Sequence, residues 1–143
     1  MTREGKPAGV LHQGPIPPFV HGVIEYAVAA LFIVAPFVFD FEETSATAAS
    51  IVVGLVLLAF TAVSELPTGL VKSISVGVHV LADIVLAVLL VALPFVLGFR
   101  DDETAATALF ITVGVLHLLV TIATRFRSRD AADDRSDIDD ALA

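Results

Sequence analysis

Two pairs of residues in this chain have the types and the spacing to do chemistry. His21 stands four residues before Glu25, and His79 stands four before Asp83. On a helix, an i,i+4 spacing places both side chains of a pair on one face. Imidazole titrates near neutrality and can pass protons. Imidazole nitrogen with carboxylate oxygen is also a donor set that divalent cations accept. A third histidine, His117, lies seven residues before Thr124 in the last apolar stretch, at a comparable depth. Ion or proton handling is therefore the chemistry that His21, Glu25, His79, Asp83 and His117 would carry. A structural reading stands beside it. An acid in the first turns of a helix is favoured by the helix dipole, and a His–carboxylate pair can tie two helices together. No established metal-ligand spacing and no cofactor motif is present, so no metal and no cofactor is assigned.

Other chemistry is missing from the sequence. There is no cysteine, which removes disulfides, thiolates and thiolate metal sites. No nucleophile–base arrangement, phosphate-binding glycine loop or HExxH motif occurs, and the chain is not expected to be an enzyme. The net charge of −8 argues against nucleic acid as a partner, because a phosphate backbone needs a basic surface.

The elements that must position the pairs are apolar helices. Of 143 residues, 57% are apolar and 17% charged, and the mean hydropathy is +0.90. The charges cluster at the ends and in three short gaps. Between them run stretches of about 20 residues, the length that crosses a bilayer core as a helix. These stretches are apolar all round, whereas the helices of a soluble bundle carry a polar face. Spans are expected at about Phe19–Phe39, Ala46–Ser64, Gly77–Leu97 and Ala105–Thr124. The expected organisation is a flexible arm over 1–18, a transmembrane hairpin over 19–65, a connector over 66–76, a second hairpin over 77–125 and a disordered acidic tail over 126–143. No cleavable signal peptide is expected, since the polar, Pro/Gly-rich start has no apolar core before a cleavage site.

Lysine and arginine set the expected orientation. Arg3, Lys6, Lys72, Arg125, Arg127, Arg129 and Arg135 fall on one side of a four-span layout, and only Arg100 falls on the other. By the positive-inside rule both termini are expected in the cytoplasm of a multi-pass cell-membrane protein. The acidic turns, Asp40–Ser45 and Gly98–Thr104, are expected to be solvated loops.

The two halves repeat each other. With an offset of 58, His21 matches His79, Glu25 matches Asp83, Pro36 matches Pro94 and Phe41 matches Phe99. With an offset of 60, Ala46-Thr47-Ala48 matches Ala106-Thr107-Ala108, Gly54 matches Gly114 and Thr61 matches Thr121. Each unit begins and ends on the same side, so the repeats are parallel, about a pseudo-two-fold axis along the membrane normal. Pro36 and Pro94, with Phe37 and Phe95, are expected to kink the first helix of each repeat near its outer end and anchor it at the interface. Gly54 and Gly114 are expected at close helix contacts. Thr61 and Thr121 are expected to bond to carbonyls of their own helices.

A hairpin whose first span ends in a Pro–aromatic step and a Gly-Phe-like turn resembles the SPW-repeat family of small prokaryotic membrane proteins. The signature reads Ala35-Pro36-Phe37 and Leu93-Pro94-Phe95, without the Ser and the Trp, and the resemblance covers about residues 19–125. It implies the architecture and, the family being one of unknown function, no chemistry. The expected fold is all-α, a four-helix transmembrane bundle of two parallel helical-hairpin repeats. The expected role is that of a structural, accessory or interaction protein in the lipid bilayer, as a homo-oligomer. The alternative is a small proton- or cation-coupled transporter or channel. A hydrated cavity at the His/acid pairs would favour transport, and dry, sealed pairs the accessory role. No protein partner is indicated.

Overall fold

A computed structural model describes residues 14–126, and the expected arm over 1–13 and tail over 127–143 lie outside the described residues. The described chain forms four helices: α1 (Pro18–Val38), α2 (Thr44–Ala62), α3 (Val76–Val96) and α4 (Thr104–Ala123). All four are long and apolar enough to cross a membrane, and each begins within two residues of the expected span. The fold is an all-α, four-helix bundle of two hairpins.

Local chemistry sets the helix ends. Pro18 occupies the first turn of α1, where its missing N–H costs nothing. Ser75 caps α3 by accepting from the Val78 N–H. Past the C-caps Phe39 and Leu97, the chain turns through left-handed backbone at Asp40 (φ 52°) and Gly98 (φ 78°). These two positions are repeat equivalents, and Gly and Asp are among the residues that adopt this conformation most readily.

Within each hairpin the helices pack closely at glycine. A Cβ on Gly54 would lie 2.7 Å from the Ala29 carbonyl oxygen, and one on Gly114 3.0 Å from that of Ala87. Ala29 and Ala87 are themselves repeat equivalents. Between hairpins, α1 meets α4 and α2 meets α3. The core centres on Phe32, Leu90, Phe99 and Phe110. The Phe110 ring lies 5.0 Å from Phe32 and 5.5 Å from Phe99, edge to face. Lipid is as apolar as these side chains, so packing fit and buried polar links, more than the hydrophobic effect, must hold the hairpins together.

Four features differ from the sequence reading. Residues 14–17 were assigned to the flexible arm, yet this stretch pairs with the end of α4: Ile16 N–H donates to the Ala123 carbonyl, and Arg125 N–H to that of Ile16. Phe126, assigned to the tail, is 2% exposed. Glu103, placed in a solvated turn, is buried and accepts from the backbone N–H of Glu42 (2.8 Å), joining the two acidic turns. Phe99, in the same turn expected to be solvated, is buried against Phe110. In the first three cases an unpaired backbone group or an aromatic ring finds its partner in the other repeat, and Phe99 finds its partner within its own.

Candidate functional site

The helices bring His21 and Glu25 of α1 against His79 and Asp83 of α3. One ligand atom from each of the four lies within 4.8 Å of all the others. The side chains are 0–2% exposed. Nitrogen and oxygen alternate around a ring. His21 Nε2 is 3.5 Å from Glu25 Oε1, and Glu25 Oε1 is 3.2 Å from His79 Nε2. His79 Nε2 is 3.4 Å from Asp83 Oδ2, which is 3.2 Å from His21 Nε2. Each histidine therefore faces the acid of its own helix and the acid of the other repeat. The i,i+4 spacing puts each pair on one face of its helix, and the packing of the two repeats turns those faces toward each other.

The far nitrogens of the two rings fix how they are protonated. Ser64 Oγ donates to the Phe60 carbonyl at 2.7 Å, and Thr124 Oγ1 donates to the Val120 carbonyl at 2.6 Å. A hydroxyl has one proton, so each of these oxygens can only accept from its other neighbour. That neighbour is His79 Nδ1 for Ser64 (2.7 Å) and His21 Nδ1 for Thr124 (2.9 Å). Both rings thus carry hydrogen on Nδ1 and turn Nε2 to the centre. A neutral ring then presents a lone pair to carboxylate oxygens. A proton, on Nε2 or on the facing carboxyl, or a cation in the middle must lie between them. Two carboxylates balance two protonated rings or one dication.

The second layer repeats as well. Thr61 Oγ1 lies 3.1 Å from Glu25 Oε2 and 2.8 Å from its own helix's Leu57 carbonyl. Thr121 Oγ1 lies 3.5 Å from Asp83 Oδ2, so Thr121 meets the acid where a carbonyl of α4 was expected. His117 breaks the symmetry. Its Nε2 is 3.6 Å from Asp83 Oδ1, and its repeat equivalent is the apolar Leu57. Glu25 Oε1, His79 Nε2 and His117 Nε2 are buried without a hydrogen-bond partner. Three orphaned polar atoms at one centre cost several kcal/mol in an apolar setting.

Aromatic and aliphatic side chains close the centre. Phe126 meets His21 edge-on at 5.0 Å, and Phe60 stacks on His79 at 5.6 Å. Leu66, the repeat equivalent of Phe126, is equally buried. Two turns along α1, Phe32 and Phe110 seal the other side. A recess of about 530 Å³ opens above the Leu66–Phe126 lid, lined also by Pro17, Glu65, Lys72 and Arg125.

The remaining residues singled out in the sequence lie elsewhere. Pro36 and Pro94 are buried near the far ends of α1 and α3, about three to four turns from the centre. Phe37 and Phe95 are largely exposed on the outside of the bundle, where lipid would meet them. Gly54 and Gly114 serve the helix contacts described above. Sequence reasoning missed Ser64, Thr124, Leu66 and Phe126. The two hydroxyls carried a signal, since they are matched at offset 60. The lid residues lie past the matched segments, and Phe126 sits in a charged run.

No curated protein and no solved structure matches the chain. A family model described as SPW repeat domain matches residues 19–124. That match runs from the start of α1 to the residue after α4, and so contains both hairpins and all five ionisable residues of the centre. The chain belongs to the SPW repeat family.

Proposed function

We propose that this membrane protein is non-enzymatic and holds positive charge, as protons or a cation, in a closed centre between its two repeats. Its role on this reading is accessory, not conductive. The observation that carries it is the meeting of four repeat-related ionisable side chains within 4.8 Å in a buried interior. Ionisable groups at membrane depth are costly and mark function by default. The centre lies behind the Leu66–Phe126 lid on one side and the Phe32–Phe110 layer on the other, which speaks against an open pore. Both termini lie in the cytoplasm on this reading, supported by seven Lys and Arg against one.

The recess above the lid favours a second reading, a coupled transporter in which Phe126 moves aside. Proteoliposomes separate the two. The accessory role predicts no ion flux under a pH gradient beyond that of a Glu25→Gln, Asp83→Asn double variant. Flux in the wild type that the double variant loses would establish transport. Histidine ¹⁵N NMR tests the charge-holding centre itself. The His21 and His79 rings should differ between wild type and double variant at Nε2. Identical ring signals at every pH would reduce the centre to a static tie.

A further inference from the structure

Which positive charge the centre holds follows from its donor set. We propose that it is a binding site for one divalent first-row transition-metal cation, ligated by His21 Nε2, Glu25 Oε1, His79 Nε2 and Asp83 Oδ2. This rests on the reading of the centre as a holder of positive charge and names the charge.

The distances fit an ion. Bonds of about 2.0–2.2 Å to a central metal set neighbouring donors about 2.9 Å apart at right angles and about 3.4 Å apart at tetrahedral angles. The four N–O separations around the ring are 3.2–3.5 Å, and all four donors lie within 4.8 Å of one another. This ring is slightly wider than a square of donors about an ion, about 2.9 Å adjacent and about 4.2 Å across, so binding draws the side chains in by a few tenths of an ångström. The buried atoms without a hydrogen bond include two of these donors, Glu25 Oε1 and His79 Nε2. His79 Nε2 and Glu25 Oε1 approach to 3.2 Å without forming a hydrogen bond, and a shared ion would satisfy both.

The donor chemistry narrows the ion. Two imidazoles disfavour Mg²⁺ and Ca²⁺, which take oxygen. The absence of cysteine leaves no thiolate for soft ions. Imidazole with carboxylate suits the divalent ions from manganese to zinc. The surroundings match as well. Metal-bound histidines as a rule donate their second N–H to an oxygen, which fixes the ring. Here Ser64 and Thr124 accept those N–H groups, each from the opposite repeat. Thr61 and Thr121 reach the two carboxylates. A dication also leaves the centre neutral, as a low-dielectric interior requires.

The test uses the full chain in detergent, stripped with a chelator and titrated with Co²⁺ and with Zn²⁺ at pH 7.5. One Co²⁺ per chain should bind with a ligand-field spectrum, and Zn²⁺ should displace it. The Glu25→Gln, Asp83→Asn double variant, which keeps both acidic turns, should lose the spectrum while remaining folded by circular dichroism. Ser64→Ala with Thr124→Val should bind about 10- to 100-fold more weakly. Folded wild type that binds no Co²⁺ or Zn²⁺, or a double variant that binds as well as wild type, overturns the metal site. If the His21 and His79 nitrogens still respond to the double substitution, the charge-holding reading survives that failure. If they do not respond, both fall.

Discussion

His79 Nδ1 lies 2.7 Å from Ser64 Oγ, whose only proton is committed to the Phe60 carbonyl. A hydroxyl at the end of α2 thereby decides which nitrogen of a histidine on α3 faces the centre. The same relationship holds for His21 and Thr124, so the repeat has duplicated the orienting group along with the ligand. Ser64→Ala removes the acceptor and lets the His79 ring choose its tautomer. Ring ¹⁵N NMR should then show a mixed Nδ1/Nε2 population at His79 and an unchanged His21.

Breaking one member of the centre should cost more than removing a pair. His79→Leu leaves Glu25 without its closer imidazole in a buried site, and the loss in stability at neutral pH should be about 3–5 kcal/mol. Adding Glu25→Gln should recover a large part of it. Thermal unfolding in detergent measures both.

The helix contacts make a graded prediction. Gly54→Ala sets a methyl 2.7 Å from the Ala29 carbonyl oxygen, and Gly114→Ala sets one 3.0 Å from that of Ala87. Overpacking of this kind costs about 1–3 kcal/mol. Gly54→Ala should stand at the upper end and Gly114→Ala below it, by the same unfolding measurement.

The lid predicts a kinetic effect. Phe126 covers His21 and borders the recess above. Phe126→Ala should speed the transfer of bound Co²⁺ to an external chelator, while its equilibrium affinity changes less. Stopped-flow absorbance reads the rate. An unchanged rate would mean that the ion leaves by another route.

Much of this architecture was legible in the sequence. Four stretches of membrane length with at most one formal charge each gave the helices, because bilayer thickness leaves little freedom. The repeat placed His21 with His79 and Glu25 with Asp83. It could not say that each histidine meets the acid of the other repeat, since i,i+4 spacing fixes a face and not what that face meets. Ser64 and Thr124 were visible only as matched hydroxyls at two helix ends. Their role depends on the paired backbone of Ser64 with Ile74 and of Ile16 with Thr124, which draws the start of each repeat onto the end of the other. Phe126 was hidden by its charged neighbours, Arg125 and Arg127, because composition averages over the one side chain that turns inward.

The central claim is that the two repeats jointly hold a metal ion through two imidazoles and two carboxylates. X-ray absorption at the zinc edge, on the Zn²⁺-loaded full chain in lipid, tests it most directly. The account predicts nitrogen and oxygen neighbours at about 2.0–2.2 Å, with the outer-shell scattering of two imidazole rings. A shell of oxygen alone, without imidazole scattering, would contradict it.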